Sequence, residues 1–178
     1  MKRKLLAGLM MLGFATLASS PVFAATTASG TVAVTATVAS SVSLTFVTDP
    51  AGITLGGTGT SAATIAFGSV QAYGGVVPAN VTKTVNGVIN WTLSTPFDVV
   101  VQVANQVSPT YTLTAQLNAA DALDTWKIGA STITSAAATT LTAAGAYGST
   151  AYTLGLTIPF NKPAGAIANT INFVATAN

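Results

Sequence analysis

The chain has 178 residues, half of them hydrophobic, with no Cys and no His, six Lys plus Arg and four Asp plus Glu. Those absences exclude Ser-His-Asp and Cys-His constellations, ordinary zinc sites and disulfides, and leave four Asp as the only acid–base carboxylates. The formal charge of +2 belongs to the first residues: beyond residue 24 there remain Lys83, Lys127 and Lys162 against Asp49, Asp98, Asp121 and Asp124, three minus four, or −1. So little positive charge cannot neutralise a row of phosphates, and nucleic-acid binding is not expected.

Residues 1–24 read as a secretory signal peptide. Lys2, Arg3 and Lys4 make a charged start, residues 5–18 are apolar but too short to span a bilayer, and Val22-Phe23-Ala24 offers small residues at −3 and −1 for cleavage before Ala25. No later stretch is long and apolar enough for a membrane span, so a secreted protein at the cell surface is expected. The roughly 150 residues that follow can bury about two-thirds of their surface, enough for one sandwich-sized domain.

Residues 25–40 form an N-terminal extension ahead of a domain over 41–178. Even positions across residues 31–46 are Val32, Val34, Ala36, Val38, Ser40, Val42, Leu44 and Phe46; odd positions are Thr, Ala or Ser. Period-two alternation suits a strand with one buried face, and Val and Thr suit a pleated surface. The run is far longer than a usual strand. Breaking it at the weakly apolar residues 39–41 gives a separable N-terminal strand, about 31–38, and a first body strand, about 42–47. Val32, Val34, Ala36 and Val38 are then candidate donor-strand residues, able to fill a neighbouring subunit.

Thr48-Asp49-Pro50-Ala51-Gly52 has turn chemistry, and residues 56–61 are a Gly-rich loop. Residues 63–67 predict a short strand closed by Gly68. Residues 72–80 form another loop. Residues 81–94 predict a strand pair or one bent strand, with Pro96 as an interruption. Residues 97–103, apolar on both faces, predict a central strand. Residues 111–117 alternate cleanly, and the turn at 105–109 predicts a hairpin between the two. Residues 118–124 could make a helical turn, Trp126 and Ile128 a short strand. Residues 136–146 are rich in Ala, Thr and Gly, without helical periodicity. Strands follow around 152–160 and, after the turn at 161–165, around 171–175. Eight to ten short strands with turns between them predict an all-β sandwich, immunoglobulin-like or jelly-roll-like.

An alternating Thr/Val segment comes first, then Ile65-Ala66-Phe67-Gly68-Ser69-Val70. Late in the chain come Leu156-Thr157-Ile158-Pro159-Phe160, Pro163-Ala164-Gly165 and a terminal Thr170-Ile171-Asn172-Phe173-Val174-Ala175-Thr176. In that order they resemble bacterial surface β-sandwich subunits of the spore-coat-U and fimbrial pilin kind. The disulfide usual in that family is absent. The resemblance implies a structural subunit of an extracellular, pilus-like fibre serving adhesion or biofilm, polymerising head to tail by strand complementation. Its partners would be copies of itself, with an assembly chaperone or outer-membrane machinery.

Two other readings stay open: a monomeric secreted binding module with residues 31–38 folded back as an edge strand, and an adhesin recognising surface glycans through the loop residues Tyr73 and Tyr147. Trp91 and Tyr152 lie on apolar strand faces and are expected in the core. Asn118, Asp121 and Asp124 supply oxygens but not the spacing of an EF-hand loop, so a solvated loop is expected there in preference to calcium. No enzymatic activity and no cofactor are expected.

Overall fold

A computed structural model describes residues 31–33, 35, 36, 42–103 and 108–178. The chain divides into two units, Met1–Val38 and Ala39–Asn178. In the first, the described residues of the proposed N-terminal strand, 31–33, 35 and 36, carry no strand pairing and are exposed, Val32 at 88 %. Val34 and Val38 lie outside the described residues.

The second unit is all-β. Among the described residues its nine strands are β1 (Val42–Val47), β2 (Thr82–Asn86), β3 (Asn90–Val103), β4 (Tyr111–Leu117), β5 (Thr125–Ile128), β6 (Ser131–Ile133), β7 (Thr139–Gly145), β8 (Gly148–Pro159) and β9 (Ile171–Ala177). They form two antiparallel sheets. The larger has the order β1-β3-β8-β5-β6, with β2 also on β3; the smaller is β7-β4-β9. The inner face of the larger sheet carries Leu93, Phe97, Val99, Val101, Leu154 and Leu156, and that of the smaller carries Tyr111, Leu113, Ala115 and Leu117, all buried. Each Val, Leu or Phe among them contributes about 1.5–3 kcal/mol by leaving water. With no disulfide, this shared layer holds the sandwich together.

β3 is the spine. Trp91, Leu93, Thr95, Phe97, Val99 and Val101 are its inward row, and its ladder with β8 runs from Asn90↔Pro159 to Val101↔Gly148. Contrary to the sequence expectation, Pro96 does not interrupt it. On the opposite edge of β3, β2 pairs only as far as Ser94 and β1 only from Asp98, so position 96 faces a gap between two partners. The Pro96 carbonyl points to that gap, against Gly52. In a strand the N–H points the same way as the carbonyl, so the N–H that Pro lacks costs the ladder nothing.

Three other expectations are corrected. Strands β3 and β4 do not form a hairpin: they lie in different sheets, β4 pairing with β7 and β9. Both alternate, and parity alone cannot separate a neighbour in the same sheet from one facing it across the core. Residues 63–67 are extended, with Ala63, Ile65 and Phe67 half-buried, but are not a strand; Thr64 makes an isolated bridge to Gly56. Residues 81–94 resolve into β2, a tight turn and the start of β3. Residues 118–124 are a bend with no helix.

Candidate functional site

Among the described residues the smaller sheet has three strands, and it is unequally buried. Central β4 has every inward side chain at 4 % exposure or less, whereas inward-facing Ile171, Phe173 and Ala175 of β9 remain half-buried. β9 has β4 on one edge, and among the described residues no strand on the other. A groove of about 1350 Å³ opens there. Its floor is the inner face of the larger sheet, with Leu44, Phe46, Trp91, Leu93, Leu156 and Ile158. One rim is residues 61–70; the other is residues 163–170 running into β9.

Both rims are extended backbone without strand partners along most of their length. The first is tied by Gly56 and Thr64, each donating its N–H to the other's carbonyl at 3.0 and 2.8 Å. The second is held where the Asn118 N–H meets the Thr170 carbonyl at 2.8 Å, and by paired bonds between the Asn169 amide and Ala119. Where β1 and β9 approach, the gap is closed by rings: Phe46 and Phe173 meet edge to face at 5.2 Å, with Phe97 at 6.1 Å from Phe173. Such pairs add about 0.5–1.5 kcal/mol each beyond burial. The groove is thus a slot with an apolar floor and more polar, extended rims, beside a strand edge that has no partner strand among the described residues. Among the described residues its one charged lining residue is Lys162, which is bound to Asp124.

No protein-family model, curated protein or solved structure matches this chain.

The two loop tyrosines do not share a platform. Tyr73, 66 % exposed, stacks on Phe160 at 4.9 Å with rings 5° from parallel, just past the end of β8. Tyr147 precedes the start of β8, donates its hydroxyl to the Thr110 carbonyl at 3.1 Å and packs 5.4 Å from Tyr111. β8 separates them by roughly 35–40 Å at strand rise. Trp91 is buried and Tyr152 half-buried against the core, its hydroxyl bonded to that of Thr142; burial holds Tyr152 above the usual phenol range.

The acidic bend carries its own order. Asp121 Oδ1 accepts the N–H groups of Leu123 (3.1 Å) and Asp124 (2.9 Å), and Oδ2 accepts the Trp126 indole N–H at 2.9 Å. Burial alone would raise this carboxyl, but those donors, with the Lys162 charge nearby, outweigh it and hold Asp121 below 3.8. Among the described residues no group of three or more His, Cys, Asp or Glu is placed to hold a metal ion, and no helix is long and apolar enough to cross a membrane. The groove itself had no signal in the sequence. It arises from strand order, which periodicity does not encode.

Proposed function

We propose that this protein is a structural subunit that polymerises head to tail at the cell surface, each groove receiving residues 31–38 of the next copy as a strand alongside β9. The observation that carries the reading is β9 itself, a strand whose outer edge meets no other strand among the described residues and whose half-buried inward row lies beside a slot with an apolar floor. A strand added at such an edge gains main-chain hydrogen bonds, while alternate side chains fill the slot. The segment fits in chemistry: it is uncharged, alternates Val or Ala with Thr, and presents Val32 almost fully to water. A head-to-tail contact propagates instead of closing. The scarcity of charge suits close packing of copies, and the resemblance to fimbrial subunits points the same way.

Burying Val32, Val34 and Val38 would contribute roughly 5–9 kcal/mol gross, before the cost of ordering the segment. Val34→Asp removes one of those terms and drives a carboxylate toward an apolar slot. Electron microscopy of the secreted protein should show fibres for the wild type and none for Val34→Asp. A synthetic peptide of residues 27–40 should shorten the wild-type fibres by capping grooves. Normal fibres from Val34→Asp, or a wild type that stays monomeric throughout, would refute the reading. The monomeric module is then the surviving alternative.

A further inference from the structure

A covalent strut is already half-built on the edge of the sandwich away from β1. Lys162, in the turn between β8 and β9, places Nζ against Oδ2 of Asp124, the residue before β5. The Asp124 side chain is fully buried, that of Lys162 is 16 % exposed, and Oδ1 of Asp124 has no hydrogen-bond partner. An ion pair in such a place is a poor resting state. The carboxylate has left water, the ammonium has lost most of its own, and one carboxylate oxygen remains unsatisfied. Trp126 and Ile133, both buried, pair across β5 and β6 just beyond Asp124.

We propose that Lys162 and Asp124 condense to an intramolecular isopeptide bond. The reacting forms are the amine and the carboxylic acid, reached when one proton passes from Nζ to Oδ2 along the existing contact. Nζ then attacks Cγ, and the Nζ–Cγ bond forms. The Cγ–Oδ2 bond breaks. The second Nζ proton goes to the departing hydroxyl, which leaves as water. Ammonium plus carboxylate becomes amide plus water, with no oxidant, cofactor or activating group required. Holding the two groups in contact replaces the bimolecular encounter, which in well-oriented systems is equivalent to molarities on the order of 10⁵–10⁸ M. The product carries no charge, so the buried site no longer bears two ions. Asp121 is a positioning residue: its bonds to the Leu123 and Asp124 N–H groups and to the Trp126 indole fix the bend that aims Asp124 at Lys162. The bond would tie the turn that feeds β9 to the larger sheet, in a chain that has no disulfide to do so.

Intact mass spectrometry of the purified protein, followed by tryptic digestion under denaturing conditions, tests this directly. Trypsin cuts after Lys83 and Lys127 but not at Lys162, which precedes Pro163. An ion-paired chain therefore releases fragments 84–127 and 128–178 separately. The expected result is a protein one water molecule lighter than its sequence, with those two fragments joined. Lys162→Arg keeps the ion pair but offers no amine nucleophile, and should restore both the full mass and the separation. A wild type at full mass with separated fragments overturns the proposal. So does a water deficit with separated fragments, which would be a local imide at an Asp, or a deficit that persists in Lys162→Arg.

Discussion

Asp121 shows how much one carboxylate can organise when its donors are arranged around it. Three N–H groups converge on its two oxygens, and the Lys162 charge lies near. Its folded carboxyl is held below 3.8, so it contributes stability that is fully present above the unfolded value and is lost as the pH falls through the folded one. We expect the urea midpoint to drop as the pH is lowered below 3.8, with part of that drop absent in Asp121→Asn. An acid limb identical in the two proteins would contradict it. Because Asp121 is only partly buried, solvent screening will keep the effect small. The sequence placed Asp121 and Asp124 together in a possible helical turn or solvated loop and weighed them as one oxygen cluster. It could not show that the two diverge, one toward the Trp126 indole and the other toward Lys162. That separation depends on contacts 38 residues apart in the case of Lys162.

At the scale of elements, the least regular stretch supports the most regular one. The gap in the edge of β3 at Pro96 is covered by the loop carrying Gly52, whose N–H reaches the Asp49 carbonyl at 2.8 Å and whose own carbonyl accepts from the Asn80 side chain at 2.9 Å. Thr95, 1 % exposed, accepts the Ile53 N–H and donates to the Asn80 carbonyl. A Cβ on Gly52 would stand 2.0 Å from the Pro96 carbonyl oxygen, an atom of the spine strand that cannot swing aside. Gly52→Ala should therefore cost about 1–3 kcal/mol, toward the upper end because backbone and not a side chain must yield. The readout is a lower urea midpoint with unchanged slope, and an unchanged midpoint would rule out the contact. Turn chemistry at 48–52 was readable from Asp-Pro and Gly. Its task was not, because Pro96 reads as a strand breaker until the partners on either side of it are known. Alternation located β1, β4, β8 and β9 well, and found β3 only as two pieces broken at Pro96. β6 and β7 escaped it, one being three residues long and the other bulged against β4 at two points in an Ala/Thr run with little contrast between faces.

For the whole molecule, the two longest-range ladders decide when the fold can exist at all. Trp91 waits for Ile158, and Tyr111 for Ala177. A chain ending at Thr170 keeps every residue of β1 to β8 yet leaves β4 without one of its two neighbours and the core without Ile171, Phe173 and Ala175. Such a truncation should lose cooperative thermal unfolding, measured by circular dichroism, while a chain lacking residues 25–40 should keep it. Retained cooperativity in the shorter protein would mean that β9 is dispensable to the sandwich.

The position of β9 also bears on the history of each molecule. A chain emerging from its N-terminus completes β3 and β4, two strands with full apolar rows, long before either has its distant mate. Pairings this remote in sequence are slow to find one another, and uncovered strands invite association between unfinished copies. The interval of risk ends only with the arrival of the last strand, so the rate at which Ile171–Ala177 docks sets how long each new molecule stays vulnerable to aggregation.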